Sequence, residues 1–265
     1  MKIIFWNFNK NTDISLIDEL VELENPEILA IAETGTHANK ITLSLKKINP
    51  KYYHITPNNS KIEIFTTLPT NNKSNIIDEG RLFGFQFYYQ KKLINVFFVH
   101  LQDKLHHNIA DQTSFSKIYA DIVKSYEDKF DNKISLVAGD FNMNPFEIGM
   151  IESTGFHSVS DFSVANKMNR TIDSRKYDFF YNPMWSFLGD QSLGNVAGTY
   201  YYWKSSPTCF FWNIFDQFLI RPQFANLFKK YKIEILTNLN NTTLVKPNSI
   251  IDDQYSDHLP IKIIF

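Results

Sequence analysis

The sequence predicts a single α/β domain built on mixed sheets. Three observations carry this. Short, apolar, β-rich runs alternate with amphipathic helical patterns over the first fifty residues; four strand-like runs then follow one another with no helix between them; and 265 residues pass without a linker, repeat or low-complexity tract. Architectures of this class routinely hold such a length in one domain.

Residues 2–8 open the chain as a short, buried strand. Asp13 is placed to cap a helix whose Ile14, Ile17 and Val21 share a face, with Leu16, Leu20 and Leu23 beside them. Asn25-Pro26 ends that helix, because the residue before a proline is driven out of helical backbone. A second apolar strand spans 28–32 and stops at Glu33-Thr34-Gly35, and a short helix is expected near 41–48. Residues 52–56, 61–67, 81–89 and 93–99 then read as strands, with Phe83, Phe85, Phe87 and Tyr89 alternating along one of them. Their succession predicts antiparallel hairpins. A long helix is expected over 111–130 with Phe115, Ile118, Ile122 and Tyr126 as its apolar stripe. Residues 134–138 form a strand that runs into Gly139-Asp140-Phe141-Asn142, and a short helix after Pro145 carries Ile148 and Ile151. Residues 160–205 give no clear pattern; strands resume at 210–220, 232–236 and 261–265.

Composition bounds the function. Hydrophobic residues at 43% and charged residues at 21% describe a globular chain, not a disordered one. Net charge is −1, whereas a protein that grips nucleic acid by general electrostatics is clearly basic. Either the substrate is not a long polyanion, or local cations, including a bound metal, supply the attraction. Lys46-Lys47, Lys51, Lys91-Lys92 and Lys229-Lys230 offer a local track, but scattered solvated lysines account for them better. The 24 Phe and 13 Tyr indicate a Phe-rich core before a base-stacking surface. Cys209 is the only cysteine, so no intramolecular disulfide forms. The apolar run at the N-terminus is too short for a secretory signal and nothing approaches transmembrane length. A cytoplasmic protein without membrane attachment is the expectation.

Chemistry-bearing side chains collect where apolar strands end: Asn7, Glu33, His100, Asp140 with Asn142, and Asp257-His258 before the last strand. Each alone has an ordinary structural account. Glu33 suits the region before a helix, Asp140 and Asn142 suit an Asx turn, and His100 suits a satisfied core histidine. As a set they fit hydrolysis of a phosphate ester, which needs charge neutralised on non-bridging oxygens, a water activated and a leaving oxygen protonated. Carboxylate and amide oxygens suit Mg²⁺ or Mn²⁺, and imidazoles donate to phosphate or carry protons. No Cys/His spacing suggests structural zinc, and neither a glycine-rich phosphate loop nor a Gly-x-Ser-x-Gly elbow is present.

Six segments occur in an order that spans almost the whole chain: Trp6-Asn7-Phe8-Asn9, Ala32-Glu33-Thr34, Val99-His100-Leu101, Gly139-Asp140-Phe141-Asn142, Phe215-Asp216-Gln217 and Ser256-Asp257-His258-Leu259-Pro260-Ile261. The ordered set resembles the endonuclease/exonuclease/phosphatase superfamily, which includes the DNase I-like nucleases. The resemblance implies a four-layer α/β/β/α sandwich of two mostly antiparallel sheets flanked by helices over residues 1–265, with the site at one open rim. Glu33 resembles the main metal-ligating carboxylate, with Asn7 beside it and Asp257 binding or orienting a metal. Asp140 resembles the carboxylate that positions the attacking water, and Asn142 the amide that holds a phosphate oxygen or that water. His258 resembles the imidazole on the scissile phosphate, its tautomer set by Asp216, and His100 the general acid facing the leaving group.

The abasic-site endonuclease branch usually has a tyrosine near the place of His100 and an aspartate at that of Asn9, so the resemblance leans toward DNase I-like nucleases, phosphodiesterases or phosphatases. A histidine at this place generally has its own carboxylate; Glu63 is the candidate, although solvent-facing alternation explains it equally. Arg81 is a surface arginine before it is a phosphate contact, and His37, His106 and His107 are loop residues. The aromatic stretch 185–212 offers a base-stacking rim, with buried packing the better account. The implied function is a Mg²⁺- or Mn²⁺-dependent nuclease acting on DNA or RNA, with a phosphatase or phosphodiesterase for small phosphorylated molecules such as nucleotides or inositol phosphates as the alternative. An inactive binding module would have lost one of Glu33, Asp140, Asn142, Asp257 or His258, and all five are present.

Overall fold

The computed structural model describes residues 1–69, 75–191, 196–205 and 207–265. The strands are β1 (Lys2–Asn7), β2 (Ile28–Ala32), β3 (Tyr53–Ile55), β4 (Ile62–Thr66), β5 (Ile77–Glu79), β6 (Leu82–Tyr89), β7 (Lys92–His100), β8 (Ser135–Asp140), β9 (Ser158–Val159), β10 (Asn169–Ile172), β11 (Arg175–Asp178), β12 (Phe180–Tyr181), β13 (Tyr200–Tyr201), β14 (Trp212–Asn213), β15 (Asp216–Ile220), β16 (Lys232–Ile235) and β17 (Ile261–Ile264). The helices are α1 (Ser15–Glu24), α2 (Ala38–Ile48), α3 (Ile109–Phe130), α4 (Ile148–Ile151), α5 (Phe162–Ala165) and α6 (Pro222–Leu227). The chain is mixed α/β, with two large mixed sheets and helices flanking them, as the sequence predicts. It forms two compact units: Met1–Pro69 with Phe187–Asp216 and Lys230–Phe265, and Thr70–Ser186 with Gln217–Lys229.

The first unit holds a six-stranded sheet in the order β16-β17-β1-β2-β4-β3. β1 and β2 are parallel, because α1 returns the chain between them; the other pairings are antiparallel. β2 is buried along its whole length, which is why it is a continuous apolar run. α1 buries Leu16, Ile17, Leu20 and Val21, whereas Leu23 stays 48% exposed. Asp13 is not the cap. Ile14 holds that position, and Asp13 Oδ1 accepts from Ser15 N at 3.0 Å and Ser15 Oγ at 2.6 Å in a turn before the helix. Asn25 ends α1 in left-handed backbone, as Asn25-Pro26 predicts.

The second unit holds a seven-stranded sheet in the order β5-β6-β7-β8-β15-β12-β9. β5-β6 and β6-β7 are antiparallel hairpin pairs, and β7 runs parallel to β8 after the long α3 crossover. β6 is buried on both faces from Leu82 to Phe87. α3 begins at a capping box between Asn108 and Asp111. Its predicted stripe holds except at Ile118, which is 53% exposed: Tyr126 enters a core with Tyr119, Val123, Leu82, Phe97, Val99, Val137 and Phe141, and Phe115 and Ile122 pack against it partly buried. The buried face also carries Gln112, Ser116 and Glu127. Each of these polar residues has a partner outside the helix. Ser116 Oγ donates to Gly149 O, and Glu127 receives Arg221 in a fork at 2.8 and 2.9 Å.

No helix among the described residues is long and apolar enough to cross a membrane.

Candidate active site

In the first unit the parallel register pairs Asn7 with Ala32, so the C-terminal ends of β1 and β2 lie side by side. Asn7, the last residue of β1, and Glu33, the first after β2, therefore meet: Asn7 Nδ2 donates to Glu33 Oε1 at 3.4 Å. Glu33 is held in left-handed backbone (φ +50°), a conformation that non-glycine residues seldom keep unless their surroundings impose it. Gly35 is part of that imposition, since a Cβ there would lie 2.0 Å from the Lys10 carbonyl oxygen. Only glycine allows the two loops to approach so closely.

Ser256 ties this pair to the final strand. Its Oγ donates to the Asn7 carbonyl at 2.8 Å and receives His258 N at 3.1 Å, while Trp6 Nε1 donates to the His258 carbonyl at 3.0 Å. His258 Nδ1 lies 2.8 Å from Asp216 Oδ2, and both side chains are buried. An ionised carboxylate only accepts, so the shared proton sits on Nδ1 and the ring exchanges its proton through Nε2. Asp216 is placed in turn by Thr199, whose Oγ1 receives the backbone N–H of Phe215 and of Asp216, each at 3.1 Å. The Tyr200 ring packs on His258 at 4.6 Å between centroids. Asp257 sits between Ser256 and His258, partly exposed.

In the second unit the parallel register of β7 and β8 pairs His100 with Asp140. His100 Nε2 lies 3.9 Å from Asp140 Oδ2. Gly139 (φ +149°) permits this crossing, because a Cβ there would lie 2.0 Å from the Val99 carbonyl oxygen. Asp140 Oδ1 accepts from Asn142 N at 2.8 Å, and Asn142 Nδ2 donates to Asp140 Oδ2 at 3.3 Å and to the Leu101 carbonyl at 3.0 Å. Both amide protons of Asn142 are thus committed within the protein, so its side chain holds Asp140 in place. These bonds are those of the Asx turn that Asp140 and Asn142 suit. Gln112 reaches in from α3, its Nε2 donating to the carbonyls of Gln102 at 3.1 Å and Asn142 at 3.0 Å.

Several expectations change. Asp140 and His258 are 1% and 6% exposed, not set at an open rim, because β-strand ends and hydrogen-bonded loops enclose them. Glu63 is bonded to His54 Nε2 at 2.5 Å across the β3-β4 pair, which commits the carboxylate expected for His100. Arg81 is half-buried, and its Nη1 donates to the carbonyls of His100 at 3.3 Å and Leu101 at 3.4 Å, clamping the end of β7. His37, His106 and His107 lie in loops or at a helix start, as expected; His106 pairs with Asp103 at 2.9 Å. Tyr202, Trp203, Phe210 and Phe211, between 43% and 64% exposed, stand on the loop joining β13 to β14 instead of packing inside. Gln112, Thr199 and Tyr200 carry no signal in the sequence. Ser256 does, through its place in Ser-Asp-His.

Glu33, Asn7 and Asp257 offer hard oxygen donors and no thiolate, which suits Mg²⁺ or Mn²⁺. Glu33 keeps partial exposure beside its strand end.

No family model matches the sequence, and no curated protein matches it. Solved structures do. An endonuclease/exonuclease/phosphatase family protein from Bacteroides thetaiotaomicron is similar at 14% identity and a TM-score of 0.59, over 99% of this chain and 96% of that one. The beta toxin of Staphylococcus aureus, as a double alanine mutant with bound magnesium ions, is similar at 15% identity and 0.56, over 99% and 98%. The 3′ phosphatase NExo from Neisseria, bound to a product DNA hairpin, is similar at 14% identity and 0.54, over 100% and 99%. At such identities the likeness is one of fold, and it joins the ordered motifs already described. The chain has the fold of the endonuclease/exonuclease/phosphatase superfamily, the DNase I-like group.

Proposed function

We propose that this protein hydrolyses phosphate esters with a divalent cation, Mg²⁺ or Mn²⁺, and that its substrate is a phosphodiester of DNA or RNA. The reading takes residues 1–265 as one catalytic domain. The observation that carries it is the buried Asp216–His258 pair at 2.8 Å, joined through Ser256 to the Asn7–Glu33 strand ends. A histidine locked in this way holds Nε2 in a fixed place, an acceptor in the neutral ring and, once the ring carries a second proton, a donor to a phosphate oxygen. Glu33, with Asn7 and Asp257, would hold the cation. When bound, it neutralises charge on the phosphate and acidifies a water. Asp140, fixed by Asn142, takes a proton from the attacking water, and His100 returns one to the leaving oxygen.

Nucleic acid is favoured by the exposed Tyr202, Trp203, Phe210 and Phe211, since aromatic side chains stack bases without sequence preference. The similar NExo structure holds DNA. A second reading, hydrolysis of small phosphorylated molecules such as nucleotides or inositol phosphates, is favoured by the net charge of −1. Plasmid, single-stranded DNA, RNA, cyclic dinucleotides and inositol phosphates, each assayed with Mg²⁺ or Mn²⁺ and with EDTA, separate the two. Metal-dependent cleavage of a polynucleotide, abolished by EDTA and restored by either metal, is expected. Cleavage of only the small molecules would overturn the nuclease reading, and inertness toward every ester would overturn the hydrolase.

A further inference from the structure

Glu79 pairs with Leu82, so Gly80-Arg81 is the turn that joins β5 to β6. Both main-chain groups of Arg81 are held. Its N–H donates to Tyr119 Oη at 3.1 Å, and its carbonyl accepts from His100 N at 3.0 Å. The turn is thereby fixed against the end of β7, where His100 pairs with Asp140.

The side chain is fixed at the same place. Arg81 Nη1 donates to the carbonyls of His100 at 3.3 Å and Leu101 at 3.4 Å. The Leu101 carbonyl also accepts Asn142 Nδ2 at 3.0 Å, and that amide donates to Asp140 Oδ2 at 3.3 Å. One acceptor therefore joins the guanidinium to the amide that holds Asp140. Arg81 is half-buried, so the side chain has little freedom left to lose when it meets a ligand.

These bonds use Nη1 alone. Nε–H and the Nη2–H parallel to it form a different edge, the fork that matches two oxygens of a carboxylate or phosphate. Arg221 has this edge filled, its Nε and Nη2 holding Glu127 at 2.9 and 2.8 Å. The same edge of Arg81 has no acceptor, and Arg81 makes no ion pair, among the described residues. A fixed cation with an open fork, beside a histidine and a held carboxylate, supplies the local positive charge that a chain of net charge −1 needs to attract a phosphate. We propose that Arg81 binds the scissile phosphate, Nε and Nη2 donating to its non-bridging oxygens while Nη1 stays on the strand-end carbonyls. This rests on the reading of His100 and Asp140 as groups that act on a phosphate ester.

Bis(p-nitrophenyl) phosphate, a diester with a single phosphorus, reads the contact at the scissile position. With Mg²⁺, Arg81→Ala should lower kcat/KM about 100-fold, the effect of losing hydrogen bonds to a charged group, and Arg81→Lys, which keeps the charge without the fork, about tenfold. A displaced strand end alone would also slow turnover, so phosphorothioate dinucleotides give a second readout. Sulfur is a poor acceptor; in place of the oxygen that Arg81 holds, it should slow the parent more than it slows Arg81→Ala. Binding is read without turnover from the phosphorus NMR line of inorganic phosphate with Mg²⁺ present, which the parent should broaden and Arg81→Ala should not. Melting curves accompany each variant, and Arg81→Lys takes the place of Arg81→Ala throughout if the latter does not fold. Parental kcat/KM in either variant, equal sulfur effects in parent and variant, or phosphate broadening that does not depend on Arg81 would each overturn the proposal. A parent that binds phosphate through Arg81 but cleaves no ester would overturn the hydrolase alone. A parent that cleaves esters equally well without the Arg81 side chain would overturn this inference alone.

Discussion

Gln112 is the least conspicuous residue in the second unit's cluster and the most informative to remove. It is 3% exposed, and its amide donates at 3.1 and 3.0 Å to the carbonyls of Gln102 and Asn142, so it ties α3 to the loops on either side of the Asp140 turn. Each such bond contributes about 1 kcal/mol net, and a buried carbonyl left without a donor costs about 1–3 kcal/mol. Gln112→Ala should therefore destabilise the protein by about 2–4 kcal/mol. At roughly 2–4 °C per kcal/mol for a chain approaching this size, Tm falls by roughly 4–16 °C. Gln112→Met preserves most of the volume and removes the amide with both donated bonds, so it should show most of the loss. Turnover of the phosphodiester substrate should also fall, by about tenfold, measured where both variants remain folded, since Asn142 is displaced with its carbonyl. Urea denaturation with a parallel turnover assay tests this. A Gln112→Met protein within about 0.5 kcal/mol of the parent would refute the reasoning.

Asp140→Ala and His258→Ala should each lower turnover by at least about 10²-fold; because both residues are buried, circular dichroism must accompany the assay, and near-normal turnover in either variant would remove its assigned role. Glu127→Ala leaves the Arg221 guanidinium buried over the Phe180 ring at 3.7 Å without its carboxylate, and should cost about 3–5 kcal/mol in denaturant unfolding. A loss below about 1 kcal/mol would mean that the pair is solvated. Burial alone would raise the Glu24 carboxyl, but hydrogen bonds from Lys2 and Lys262 outweigh it and hold Glu24 below its ordinary value of 4.5. A depressed folded pKa means that the unfolded chain binds this proton more readily, so the contribution is complete above about pH 4.5 and is lost as pH falls through the lower, folded value. Glu24→Gln should flatten the acid limb of the stability profile, and an unchanged limb would show that Glu24 is not responsible.

What the sequence determined by itself is what local patterning can encode. The apolar runs at 2–8, 28–32 and 134–138 became β1, β2 and β8 within two residues at either end, because a buried strand needs only its own side chains to declare itself. The residues at their ends, Asn7, Glu33 and Asp140, were legible for the same reason, and the ordered motifs led to the superfamily fold. Tertiary structure alone decided which polar groups meet. Asp216 reaches His258 across 42 positions, and Glu127 reaches Arg221 across 94. Glu63 goes to His54 instead of His100 because strand register, not sequence proximity to a motif, places its carboxylate. The buried face of α3 was only partly legible for a related reason: Phe115, Ile122 and Tyr126 pack on the core as their spacing predicts, but Gln112, Ser116 and Glu127 also lie inside through bonds to distant backbone and side chains, while Ile118 stays outside. Short strands such as β9 and β12 are held by neighbours far along the chain, with too few residues to show a period. Periodicity reports on contacts one turn or one pleat away, whereas hydrogen-bond partners are chosen by the packing of segments that the chain brings together only when it folds.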